Sequence, residues 1–299
     1  MDATGEHDTV AATPLGEVRL RGGSDGRLTA ELAEFHCING RGFGGWTASL
    51  AAAAAARSAG GKQLRSLHTV FSRAAVAGEL SFDVETLANG RTASAFQVTV
   101  RQGGEAVLAA SAWFADPELF GGPGAADPGA AGEAGLPLGP AAYPRLSWVE
   151  KVAECLGGFA EYAVDYAETY EEFEGAFRDG GDSVALWICP ADPDVLRPDA
   201  PSTPGLAERL TDIMQLDAHL MDAALRGRPG DGMVSLDLAA TWYAPARVPA
   251  ATLLEARGRT QGLLASTWGT LTDATGVLRA SGTSQCRVYP GAGSPGGSA

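Results

Sequence analysis

Two stretches of this 299-residue sequence hold residue types suited to carbonyl chemistry. The first centres on Asp217, which stands among Ile213, Met214, Leu216, Leu220 and Met221 in a segment of helical periodicity. A carboxylate on a mostly apolar helix face is suited to holding a water and taking its proton. A solvated or internally hydrogen-bonded helix position would read the same way. The neighbouring Asp212 and Asp222 are expected to face solvent. The second stretch is Asn39-Gly40-Arg41-Gly42-Phe43-Gly44-Gly45-Trp46, which opens an Ala-rich helical segment, Trp46 to Ser58. Amide groups at a helix N-terminus point outward and carry partial positive charge. Gly44 and Gly45 leave those amides unobstructed, so a developing oxyanion could be met there. A tight strand-to-helix turn also asks for glycine. The spacing fails the G-x-G-x-x-G pattern, and no parallel βαβ order follows, so a dinucleotide site is not indicated.

The two stretches are complementary. No Asp or Glu occurs between Glu34 and Glu79, so the first helix cannot supply a carboxylate. The second helix can, but its start lacks a Gly pair. One site per chain, built from both halves, is the expectation. His68, on a predicted strand, reads either as a buried, hydrogen-bonded histidine or as a group that shapes the site. No G-x-S-x-G elbow with Ser-His-Asp order is present, which disfavours an α/β-hydrolase nucleophile. No His/Cys/carboxylate cluster has metal-ligand spacing, so neither metal nor cofactor is expected.

These residues must be carried by a chain of ordinary globular composition. Hydrophobic residues make up 45% and charged residues 19%, which excludes global disorder and fibrous classes. The net charge is −14, from 36 acids against 22 bases, and the only lysines are Lys62 and Lys151. A nucleic-acid binder normally shows a basic patch, so that class is set aside. No apolar run approaches the roughly 18 to 20 residues of a membrane span, and the start lacks the basic and apolar regions of a signal peptide. Cys37, Cys155, Cys189 and Cys286 lie far apart, as expected of buried thiols in a reducing cytoplasm.

Periodicity divides the chain in two. Glu17–Leu20 and Arg27–Glu31 read as short strands, followed by the Ala-rich helix. Four strands of period two come next, at 64–75, 79–87, 93–102 and 106–115, with Asn89-Gly90 and Gly103-Gly104 as hairpin turns. Residues 120–144 have the Gly/Pro/Ala composition of a linker. The second half offers strands at 162–170 and 183–189, a helix at 206–225, and strands at 234–243, 252–260, 265–272 and 277–289. Val70–Ala74 corresponds to Thr241–Pro245 at an offset of 171, and Gly104 to Gly276 at 172. The expected architecture is α+β. Two antiparallel sheets each wrap a central helix in a double hotdog, and they join by their edges into one continuous sheet. The halves are 1–119 and 145–290, with a frayed start over 1–15 and a disordered tail over 291–299.

A set of motifs gives this layout a family resemblance. The runs Phe43–Trp46, Leu64–Arg73, Val84–Arg91, Val98–Gly104 and Ala112–Glu118 stand in an order and spacing that resembles the acyl-CoA thioesterase II type. The resemblance is dense over about residues 40 to 118, and thinner but collinear over about 205 to 290. It implies a double-hotdog enzyme that hydrolyses acyl-CoA or acyl-carrier thioesters, acts in the cytoplasm without a cofactor, and forms a homodimer or larger assembly. It also implies a site. Asp217 matches the family's water-holding Asp, and Ser235 in Val234-Ser235-Leu236-Asp237 matches its Thr or Ser. Gln285 stands one place beyond the position of the family's Gln, which Ser284 occupies here. A one-residue slip reverses a strand side chain, and a bulge at Gly282 is the expected remedy. Gly44, Gly45 and His68 would meet the substrate carbonyl or shape its pocket. Other departures are the missing Pro after Arg73 and the Tyr243-Ala244-Pro245 run where a more basic His-Arg-Pro is common.

Two alternatives stand beside hydrolysis. One is a hotdog protein that binds an acyl or polyketide-like ligand without cleaving it. The other is a dehydratase or tailoring enzyme on the same fold, for which Asp217 and His219, two apart on a helix, point to different sides.

Overall fold

The computed structural model describes residues 9–13, 16–23, 27–120, 145–146, 170–175, 183–191, 205–225, 231–246 and 249–291. In chain order the first half runs Thr9–Thr13 (β1), Gly16–Gly22 (β2), Leu28–Leu32 (β3), Cys37–Ile38 (β4), Arg41–Gly42 (β5), the helix Gly44–Ala56 (α1), Gln63–Phe71 (β6), Gly78–Asn89 (β7), Ala93–Gln102 (β8) and Glu105–Ala115 (β9). The second half runs Arg145–Leu146 (β10), Tyr170–Glu174 (β11), Val184–Pro190 (β12), the helix Leu206–Leu225 (α2), Gly232–Ser235 (β13), Asp237–Trp242 (β14), Thr252–Gln261 (β15), Leu264–Asp273 (β16) and Leu278–Tyr289 (β17).

Fifteen strands form one sheet, in the order β1-β2-β3-β7-β8-β9-β6-β14-β17-β16-β15-β12-β11-β10, with β13 paired to β17 off that path. Both hotdog halves share this sheet. They meet where β6 and β14 run antiparallel, from Val70 opposite Asp237 to Ser66 opposite Thr241. His68 faces Ala239 at the centre of this ladder, at the same 171-residue offset that relates the two halves in sequence. The expected turns also form. Gly103 and Gly104 both have positive φ, 58° and 87°, which is the geometry a two-residue hairpin needs to match strand twist.

The helices occupy the concave side of the sheet. Every residue of α1 from Gly45 to Ala56 is buried. A helix that is apolar all round must be enclosed, and α1 lies between the sheet of its own half and α2. Its alanines keep that packing thin. Helix α2 is amphipathic and covers β15, β16 and β17. Thus each helix spans its own half, and the two touch each other along the join.

Two expectations change. The start is not frayed throughout: Thr9–Thr13 pairs with Gly16–Leu20 as an edge hairpin, and Ala11 is buried. Asp212 does not face solvent. It accepts the indole N–H of Trp242 at 2.9 Å and lies 3.1 Å from the Arg279 guanidinium, with all three side chains buried. Its partners lie 30 and 67 residues away, so helical periodicity alone could not reveal them. Asp222 is partly exposed. The strand expected over 162–170 lies outside the described residues apart from Tyr170, as does the linker 120–144 apart from Phe120 and the tail 291–299 apart from Gly291.

Candidate active site

The start of α1 forms one side of the site. Phe43 occupies its N-cap without a side-chain cap, so the first amides of the helix need partners from elsewhere. The chain is steered into this turn by Phe43, whose amide donates to the His36 carbonyl at 2.9 Å. His36 stacks on Trp46 at 3.7 Å between ring centroids. The amide of Gly45 then donates to Asp217 Oδ2 at 2.7 Å. A carboxylate from one helix thus caps the other. Both glycines are required by close approach. A Cβ on Gly45 would lie 3.0 Å from the Met214 backbone, and one on Gly44 would lie 2.8 Å from Asp217 Oδ2.

Asp217 is fully buried. Its second oxygen, Oδ1, accepts the Ser235 hydroxyl at 3.1 Å. Burial pushes its carboxyl up to about 6, while the bonds from Gly45 and Ser235 pull the other way. The group therefore changes charge just below neutral pH, the range that suits a general base.

A bulge aims Ser235. Between Ser235 and Ala239 the chain advances four residues, while the facing strand β17 advances three, from Cys286 to Thr283. The extra residue falls at Leu236–Asp237. The Leu236 amide donates to the Gln285 carbonyl at 2.7 Å, and Asp237 Oδ1 accepts the Gln285 amide at 2.7 Å. Leu238, Ala240 and Trp242 of β14 are buried toward the helices. Without the extra residue, Ser235 would share the outward parity of Asp237 and Ala239. With it, Ser235 turns inward to Asp217.

The structure separates Gln285 from this group. The register of β17 with β16 runs unbroken from Leu264–Arg287 to Leu271–Ala280, so there is no bulge at Gly282. Gly282 instead makes room for α2, since a Cβ there would lie 3.1 Å from Leu216. Ser284 and Cys286 are buried on the inner face. Gln285 is on the outer face, where its Oε1 accepts the Ser266 hydroxyl at 2.9 Å. Cys286 stands opposite Ser235 in the ladder and 3.3 Å from Ser284 Oγ. Burial pushes its thiol up to about 12, so it is present as the neutral S–H. Ser284 occupies the position of the family's Gln, whereas Cys286 has no sequence signal, because only the strand register sets it opposite Ser235.

His68 also lies elsewhere. In β6 the alternate residues Leu67 and Thr69 are buried, and His68 projects from the opposite, exposed face. It neither meets Asp217 nor borders the cavity. His219 is apart from the site as well: it is buried against Glu172 of β11 at 3.2 Å, while Asp217 faces α1.

A cavity of about 590 Å³ opens beside the Asp217 group. Gly44, Phe71, Ser235, Leu236 and Met221 are among its walls, and Arg41 and Arg73 border it. Asp217 lies directly behind Gly44 and Ser235. The Gly44 amide has no hydrogen-bond partner among the described residues, so it is the amide available to an oxygen in the cavity. The Gly45 amide is already given to Asp217. Among the described residues no group of three or more His, Cys, Asp or Glu could hold a metal ion. No described helix is long and apolar enough to cross a membrane.

Comparison with known proteins adds to this geometry. Residues 32–115 match the family model described as the acyl-CoA thioesterase N-terminal domain. No curated protein matches. Among solved structures, an acyl-CoA thioesterase II TesB2 from Mycobacterium marinum is 20% identical with a TM-score of 0.65, covering 91% of this chain and 96% of that one. The tesB protein of Mycobacterium avium subs paratuberculosis is 20% identical with a TM-score of 0.62, over 88% and 93%. A hot dog fold protein from Alicyclobacillus acidocaldarius is 18% identical with a TM-score of 0.64, over 88% and 93%. At these identities the structures establish the shared double-hotdog fold. Over residues 32–115 the likeness is to an acyl-CoA thioesterase domain.

Proposed function

We propose that this chain hydrolyses acyl thioesters of CoA or of an acyl carrier, with Asp217 as the base that activates water. The observation that carries the reading is the buried carboxylate held between the Gly45 amide and the Ser235 hydroxyl, at the wall of the cavity. A water admitted between Gly44 and Ser235 would reach Asp217. Its oxygen attacks the thioester carbon as Asp217 takes the proton. The carbonyl oxygen gains charge toward the Gly44 amide at the positive end of α1. The C–S bond then breaks, and the protonated Asp217 returns its proton to the leaving thiolate. Ser235 keeps the carboxylate oriented throughout. Gln285 has no part in these steps, and His68 has none.

The cavity suits an acyl chain on its apolar side, where Met221, Met233, Val234 and Leu236 line it. Neither cofactor nor metal enters the steps. Association into a homodimer or larger assembly, in the cytoplasm, belongs to the same reading, and light scattering that finds a monomer at micromolar concentration counts against the assembly. Binding without hydrolysis has one observation in its favour: both oxygens of Asp217 are already bonded within the protein. Hydrolysis assayed across a panel of acyl-CoA lengths separates the two. Release of free thiol supports the enzyme, and binding with no release supports the carrier.

A further inference from the structure

The cavity border has a charge pattern opposite to that of the chain. The protein carries a net charge of −14, yet no Asp or Glu is among the described residues that line the cavity, while two arginines are. Both stand on the same side. The Gly42 amide donates to the Ala75 carbonyl at 2.8 Å, so β5, which carries Arg41, is tied to the segment that carries Arg73. Arg73 is partly neutralised by Glu105, 2.6 Å away. Arg41 is exposed and has no ion pair or hydrogen bond among the described residues. It also lies only three residues before Gly44, another residue of the cavity wall. A guanidinium left uncompensated on an acidic protein, at the border of its cavity, is fitted to an anionic ligand group.

We infer that Arg41 binds the phosphate at the end of the substrate's pantetheine arm, with Arg73 in a lesser, shared role. The inference rests on the thioesterase reading and deepens it. That phosphate is common to acyl-CoA and to acyl carriers, and the thioester sulfur lies at the other end of the same arm. With the carbonyl at Gly44 and the acyl chain among Met221 and Met233, the arm leaves the cavity past Arg41. The interaction is exposed, so salt screens it, and its effect falls on substrate capture.

The test compares three substrates with one acyl group: acyl-CoA, acyl-phosphopantetheine and acyl-pantetheine, which lacks phosphate. For Arg41→Ala, the preference for acyl-CoA and for acyl-phosphopantetheine over acyl-pantetheine, as a ratio of kcat/KM, falls roughly tenfold. The loss lies in KM, and added salt reproduces part of it in the wild type. Arg73→Ala lowers the ratio less. A ratio that does not move overturns the inference. So does a fall confined to acyl-CoA, which would assign Arg41 to the nucleotide phosphates. Calorimetric titration with phosphopantetheine needs no turnover: weaker binding by Arg41→Ala supports the anion site even if no thioester is cleaved, and equal binding removes it. Failure of the Asp217 chemistry is thus read separately, from the wild-type turnover of acyl-pantetheine.

Discussion

The amide nitrogen of Gly45 lies 2.7 Å from Oδ2 of Asp217, a contact that spans 172 positions of sequence. The amide belongs to the first turn of α1 and the carboxylate to the middle of α2. The two helices touch each other, and this bond is one of their contacts. One half supplies only the amide, and the other only the carboxylate. The two halves thus bring different groups to this contact.

Asp217→Asn keeps the shape and removes the base. We expect it to lower kcat by roughly 10²- to 10⁴-fold while acyl-CoA binding, measured by calorimetry, changes little. The comparison holds once circular dichroism shows the variant is folded.

The pH dependence follows from the raised carboxyl. With Asp217 as the proposed base, the active form is the carboxylate, so kcat/KM should rise with pH through about 6 and level above it. Stability runs the other way. The folded protein binds this proton more tightly than the unfolded chain, so the stability it confers is present below about 4 and lost as pH rises to about 6. The wild-type Tm should fall across that window relative to Asp217→Asn. A flat rate profile between pH 5 and 7 would mean that another group limits the reaction.

Ser235→Ala removes one of the two donors that favour the charged carboxylate. The acid limb of the rate profile should move to higher pH, with a smaller loss of kcat than in Asp217→Asn, because a water can partly replace the hydroxyl. Gln285→Ala should cost less than Ser235→Ala, since its side chain bonds Ser266 on the outer face. A Gln285 effect as large as that of Ser235 would contradict the placement of β17.

The two glycines should separate by readout. A Cβ at Gly44 meets the Asp217 oxygen at 2.8 Å, so Gly44→Ala displaces the carboxylate and lowers activity more than stability. A Cβ at Gly45 meets the Met214 backbone at 3.0 Å and the Phe43 ring at 2.9 Å. Gly45→Ala must push the helices apart and should lower stability by about 1–3 kcal/mol, seen as a drop in Tm.

Asp212→Ala tests the buried network beside the site. It leaves the Trp242 indole without its acceptor and the Arg279 guanidinium without its carboxylate, with only the Thr252 hydroxyl still bonded to it. Loss of one member of a buried pair costs about 3–5 kcal/mol, which chemical denaturation would measure.

Some of this was decided by the sequence alone. Period-two segments, paired glycines and two long helical stretches are local signals, and they placed β7, β8, β9, β15, β16 and β17, the Gly103-Gly104 turn and both helices of the double hotdog. Asp217 was legible because a lone acid among Ile213, Met214 and Leu220 is conspicuous on an apolar face. Gly44 and Gly45 drew notice as a pair at a helix start, but a tight turn would ask for glycine there as well, and only the packing shows that Asp217 and Met214 crowd them. Tertiary structure decided the facing of single strand residues. Whether Ser235 or Gln285 turns inward depends on one extra residue at Leu236, held by bonds to Gln285, and alternation in sequence is the same whichever strand bulges. His68 faces outward because Leu67 and Thr69 fill the helix side of β6, a choice of parity set by packing. Asp212 is buried because Trp242 and Arg279 converge on it from other strands. Each of these outcomes rests on contacts between segments distant in the chain, which the order of residues constrains only through the completed fold.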